Sequence, residues 1–110
     1  MEFASTVEFA AVARRISRAA QRRGLVVPSF RCPPRVVGAD RTIRRRPART
    51  GSDEGVVVSV RVRDRPREAV VGDMIEGVVV ANRLGSPEAD RLRTDLWSVV
   101  TADEAAAHVA

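Results

Sequence analysis

Between Val56 and Val62 every second residue is valine, with Ser59 and Arg61 among the residues between. Period-2 alternation of this kind marks a strand with one buried face. Asp64-Arg65-Pro66 predicts a turn, because Asp bonds its own backbone and Pro sets φ. Arg67–Val71 reads as a returning strand ended by Gly72 and Asp73, so the stretch predicts a β-hairpin. Asp73 and Glu76 then have capping-box spacing and suit a helix N-terminus. The spacing predicts a helix over Met74–Leu84, with Gly85 in the left-handed position that ends it. On that helix Glu76 and Arg83 share one side while Met74, Ile75, Gly77, Val78, Val79, Val80, Ala81 and Leu84 cover most of the rest. A helix apolar on so many sides is buried on more than one of them. Gly77 and Ala81, one turn apart, admit a close neighbouring backbone. The β-branched run Val78–Val80 weakens helix propensity and leaves a buried strand as the alternative for part of the segment. Asn82 falls within the apolar arc and needs a polar partner if buried.

The N-terminal part predicts an amphipathic helix over Thr6–Arg23, opened by a capping box of Ser5 and Glu8 with Phe3 and Phe9 beside it, and stopped by Gly24. Phe9, Val12, Ala13, Ile16, Ala19 and Ala20 share its inner face, and Arg14, Arg15, Arg18 and Arg22 lie opposite. The small-residue seam is an expected packing partner for Gly77 and Ala81. Leu25–Val27 reads as an edge strand or a packed extended segment, and Pro28–Pro34 as an irregular loop anchored by Val36 and Val37. Residues 38–55 form an Arg-rich segment around Ile43, read either as a flexible arm or, over Arg41–Arg46, as a short strand on the hairpin's edge. Toward the C-terminus, Ser86 suits an N-cap and Pro87 the first helical position. Ala89, Leu92, Leu96 and Val99 or Val100 make the apolar stripe, with Trp97 on its flank. Thr101 and Glu104 have capping-box spacing, so Ala102–Val109 reads as a short further helix or as a frayed tail.

Composition adds a charge layout. All nineteen basic residues are Arg, a bias that a GC-rich bacterial genome explains and that also suits bidentate phosphate or carboxylate binding. Residues 1–50 hold twelve Arg against three acids, net +9, and residues 51–110 hold seven against eleven, net −4. The basic half predicts a polyanion site, or two halves that attract each other or a second copy. The single Cys32 excludes an intramolecular disulfide and a Cys-based zinc site and fits a reducing cytoplasm. No apolar run is long enough to span a membrane. The Arg- and Ala-rich N-terminus mimics a transit peptide, but Glu2 and Glu8 favour a structural helix.

Signals for catalysis are weak. The only His, His108, is near the end of the chain, Cys32 has no His nearby, and no phosphate-cradling glycine loop is present. Asp64, Glu68, Asp73 and Glu76 could hold Mg²⁺ if they converged, but turn, capping and cross-strand roles account for them. Ala81 and Gly85 match part of a helix-turn-helix. Arg91 and Thr94 stand where apolar residues belong, however, and Glu88, Asp90 and Asp95 would repel phosphate.

The expectation is therefore a single α+β domain over residues 1–110: an N-terminal amphipathic helix, a β-hairpin with an optional third edge strand, then two C-terminal helices packed on one sheet face. The expected function is a small non-enzymatic protein with no cofactor and no metal. It would bind a polyanion, foremost nucleic acid without sequence specificity, through Arg14, Arg15, Arg18, Arg22, Arg41, Arg44, Arg45, Arg46 and Arg49. The alternative is a protein-interaction or homodimeric domain with Met74 and Trp97 at the interface and no nucleic-acid role.

Overall fold

A computed structural model describes residues 6–32, 40–46, 55–62 and 64–109. Expectations resting on Phe3, Ser5, Val36, Val37 and Arg49, and on the side chains of Arg46, Glu104 and His108, lie outside what is described. Among the described residues the elements run α1 (Thr6–Arg22), β1 (Ser29–Arg31), β2 (Arg41–Arg46), β3 (Gly55–Val60), α2 (Arg67–Ala81) and α3 (Ser86–Val109). The α+β class and the order of helix, strands and two helices are as expected. No helix of the described residues is long and apolar enough to cross a membrane.

α1 ends as its sequence predicts. Gly24 takes φ +70°, its N–H bonds the Gln21 carbonyl, and the Leu25 N–H reaches back to Ala20. This pair of bonds closes the helix only when the residue after the cap is left-handed, which glycine adopts at little cost. Phe9, Val12, Ile16, Ala19 and Ala20 are buried along the inner face.

The sheet order is β1-β3-β2, with β1 parallel and β2 antiparallel to the central β3. The alternation seen in sequence holds on β3, where Val56, Val58 and Val60 are buried and Val57 and Ser59 are half-buried on the other side. The partner of β3 differs from expectation. The antiparallel strand is Arg41–Arg46, the edge strand that is one of the two readings of that segment, and Arg67–Val71 is not a strand at all. It forms the first turns of α2. Asp64, at φ +60°, turns the chain, and extended Pro66 supplies the carbonyl that accepts from the Ala69 and Val70 N–H groups. Gly72 and Asp73 are therefore helix-interior residues, and Asp73 does not cap. The third strand is Ser29–Arg31, inside the stretch expected to be an irregular loop, while Leu25–Val27 is not a strand and only Leu25 of it packs on the core. Val26 and Val27 are exposed beside it.

α2 is the central element. It packs on β2 and β3 on one side and on α1 and α3 on others. Val70, Val71, Met74, Ile75, Gly77, Val78, Val79 and Ala81 are all buried, as an all-round apolar helix requires. Gly77 faces β3, not the α1 seam: a Cβ there would meet the Val58 Cγ1 at 2.6 Å. The helix is capped by Asn82, and Arg83, not Gly85, takes the left-handed conformation at φ +52°. α3 begins at Ser86, one residue before the expected first position Pro87, with the Gly85 carbonyl accepting from the Ala89 N–H, and it runs unbroken to Val109, so Thr101 starts no second helix.

Asn82 finds the partner its position demands. Its Oδ1 accepts from the Val26 N–H at 2.7 Å, and its Nδ2 donates to the Val26 carbonyl at 3.1 Å and the Val78 carbonyl at 2.8 Å. One amide thus pins the extended segment after α1 to the end of α2, satisfying both polar groups of one residue as a strand neighbour would.

Candidate polyanion-binding face

Strand alternation and register decide where each arginine of the sheet goes. Phe30 and Ile43 flank Val58 in register and pack on the core with it. Arg41 and Arg45 share that side. Arg41 lies 3.5 Å from Asp73 and Arg45 reaches the Ala81 carbonyl at 3.5 Å, both on α2. The opposite side then carries Ser29 and Arg31 from β1, Val57 and Ser59 from β3, and Thr42 and Arg44 from β2. Ser29, Arg31, Thr42 and Arg44 are exposed, and the helices cover only the other face.

This open face has arginine at both edges and short side chains in the middle. Register places Ser29, Val57 and Arg44 in one row and Arg31, Ser59 and Thr42 in the next. Among the described residues no carboxylate pairs with Arg31 or Arg44. At the end of the sheet Arg61 is held by Asp40, with Nε to Oδ1 and Nη2 to Oδ1 both at 2.8 Å. The face therefore offers guanidinium and hydroxyl groups to an anion, with the nearest described acid already engaged.

Beyond Asp40 a charged network runs through the end of the sheet. Arg65 is buried at 6% exposure. It donates to the Arg61 carbonyl at 2.8 Å and to Asp73 Oδ2 at 2.5 Å, with Asp40 at 3.7 Å. A buried cation is tolerated only when paired and hydrogen-bonded in this way. The network ties the turn before α2 to the start of β2 and to the second turn of α2.

The other predicted residues are divided among several places. Arg14, Arg18 and Arg22 form an exposed stripe on α1 with no ion pair among the described residues, and Arg15 beside them is half-buried and engaged. α1 packs on α2 and α3, and α2 packs on the sheet, so the helical stripe and the sheet face belong to different layers. The two arginine clusters therefore do not share one layer, and β2 divides its own arginines between its two sides. Arg46 ends β2 opposite Gly55. Sequence pattern does not single out Arg31, because a three-residue strand leaves too short a pattern to assign.

The interface candidates change as well. Met74 is fully buried in this chain's own core and offers nothing to a partner, a correction that follows from α2 being enclosed. Trp97 is half-buried, with its Cζ2 3.7 Å from where a Cβ on Gly72 would be. The acidic residues do not gather either. Asp73 is taken by Arg65 and Arg41, and Glu76 accepts a bidentate pair from Arg93 at 2.5 and 2.9 Å. The Arg93 hydrogen bond holds the Glu76 carboxyl below its ordinary range against the opposing effect of burial. Among the described residues no three of His, Cys, Asp and Glu converge on a possible metal position. No protein-family model, curated protein or solved structure matches this chain.

Proposed function

We propose that this is a small non-enzymatic accessory protein that binds nucleic acid through its phosphates, without reading sequence, on the open face of the sheet. The observation that carries this reading is a sheet face that no described element covers, with Arg31 and Arg44 at its two edges, Ser29, Thr42 and Ser59 between them, and no carboxylate paired to either arginine among the described residues. Guanidinium matches phosphate bidentately, and hydroxyls donate to the same oxygens. The α1 stripe supports the reading less, because a polar outer stripe is what any surface helix presents. A cytoplasmic setting, inferred from the lone Cys32, is compatible with such a ligand.

The alternative, a homodimeric or protein-binding domain with no nucleic-acid role, has weaker support. Sheet extension through the β2 edge would set the arginine-rich strand Arg41–Arg46 against its own copy, and like charges across strands are unfavourable.

Each phosphate neutralised contributes about −0.9 to the slope of log affinity against log salt on duplex DNA. Replacing Arg31 and Arg44 by Gln should therefore flatten that slope by about 2 in an anisotropy titration against salt. The triple variant Arg14→Gln, Arg18→Gln, Arg22→Gln should leave it nearly unchanged. Absence of binding to any DNA or RNA, single- or double-stranded, at low salt would refute the proposal.

A further inference from the structure

Resting on that reading, we infer that the open sheet face takes double-stranded nucleic acid in preference to single strands. Proteins that hold single strands without reading sequence stack bases on aromatic side chains, at about 1–3 kcal/mol per base. The whole chain has four aromatic residues, Phe3, Phe9, Phe30 and Trp97. The three described ones are all committed elsewhere. Phe9 is buried on α1, Phe30 packs on the helix side of the sheet, and Trp97 lies on α3 beside Gly72. The side-chain amides that pair with base edges are absent from the face too. The chain has one Asn and one Gln, and Asn82 is bound to Val26 while Gln21 sits on α1.

What the face offers is chemistry suited first to phosphate: the guanidinium groups of Arg31 and Arg44 and three hydroxyls around Val57. A ligand held only by its phosphates is held according to its charge density. A duplex presents a charge every ~1.7 Å of its axis against ~3.4 Å for one strand. It also keeps its bases stacked on one another, so it loses nothing to a surface that offers no stacking. Arg31 and Arg44 stand two strand spacings apart across the sheet and two residues apart along it, roughly 12 Å between Cα atoms. That span lets their side chains reach phosphates on both sides of a duplex groove.

The test is a pair of anisotropy titrations of the full chain at one salt concentration. One uses a labelled DNA duplex and the other a labelled single strand of the same length and of a sequence that forms no hairpin. The duplex is expected to bind tighter by about tenfold. In the Arg31→Gln/Arg44→Gln variant, with Trp97 fluorescence reporting an intact fold, that preference should collapse toward equality. Equal or tighter binding of the single strand overturns the inference and leaves nucleic-acid binding standing, as does a duplex preference that survives in the variant. Failure of both ligands to bind refutes the underlying reading instead.

Discussion

Two glycines in α2 make opposite predictions from the same substitution. At Gly72 an added Cβ would meet only the Trp97 Cζ2 at 3.7 Å, an ordinary contact. Gly72→Ala should therefore stabilise the protein by about 1 kcal/mol, the helix-propensity difference. At Gly77 the added Cβ would lie 2.6, 3.0 and 3.3 Å from the Cγ1, Cγ2 and Cβ of Val58. Carbon atoms sit comfortably at about 3.5–4.0 Å. Val58 cannot rotate clear, because it is β-branched, fully buried and flanked in register by Phe30 and Ile43. Overpacking of this kind costs about 1–3 kcal/mol. With three short contacts the upper part of that range applies, and subtracting the propensity gain of about 1 kcal/mol leaves a loss of about 2 kcal/mol. Urea denaturation followed by Trp97 fluorescence measures both variants against the parent. The cycle with Val58→Ala isolates the clash. Removing both methyls of Val58 opens the space that the methyl added by Gly77→Ala would occupy, so the double variant should be more stable than additivity predicts by at least about 1 kcal/mol. A neutral or stabilised Gly77→Ala variant, or strict additivity with Val58→Ala, would refute this account of how α2 seats on the sheet.

Three further outcomes follow from the polar contacts. Asn82→Asp keeps an acceptor for the Val26 N–H but sets a carboxylate against the Val26 and Val78 carbonyls, which now accept from Nδ2. It should cost about 1–3 kcal/mol and speed hydrogen exchange at the Val26 amide, while unchanged exchange there would contradict the pinning role. Asp73→Ala removes the main partner of buried Arg65 and leaves Asp40 at 3.7 Å. A loss of about 3 kcal/mol in chemical denaturation is expected, and a loss near zero would show the network to be dispensable. Glu76 has its folded pKa lowered from 4.5, chiefly by its Arg93 hydrogen bond. Its stabilisation is thus full well above pH 4.5 and is lost as pH falls below that value toward the folded pKa. Glu76→Gln should flatten the acid limb of a stability-versus-pH curve, and an unaltered limb would mean that the pair contributes nothing.

Local patterns make much of this chain readable. The period and the terminal glycine place α1. The alternation of Val56, Val58 and Val60 places β3 and its buried side, and Ser86-Pro87 starts α3. Arg67–Val71 misleads because five residues after a turn signal satisfy strand and helix templates alike. What separates the two is the Pro66 carbonyl and the pairing of Arg65 with Asp73, which makes that stretch the start of a helix. The nine candidate arginines are legible as charges, but whether they share a surface is not.

Taken alone, the sequence determined the class, the order of elements, the amphipathic faces and the scarcity of aromatic and amide groups available to any phosphate-binding surface. Each of those is a property of residues near one another in the chain or of composition. The tertiary structure decided the rest. Parallel pairing of Ser29–Arg31 with β3 brings Arg31 to the open face opposite Arg44. The seating of Gly77 on Val58 fixes how closely α2 approaches the sheet. The side chain of Asn82 meets a backbone fifty-six residues away. Such contacts depend on which surfaces meet when the core closes, and a period-2 or period-3.6 pattern says which side of an element is buried without saying against what.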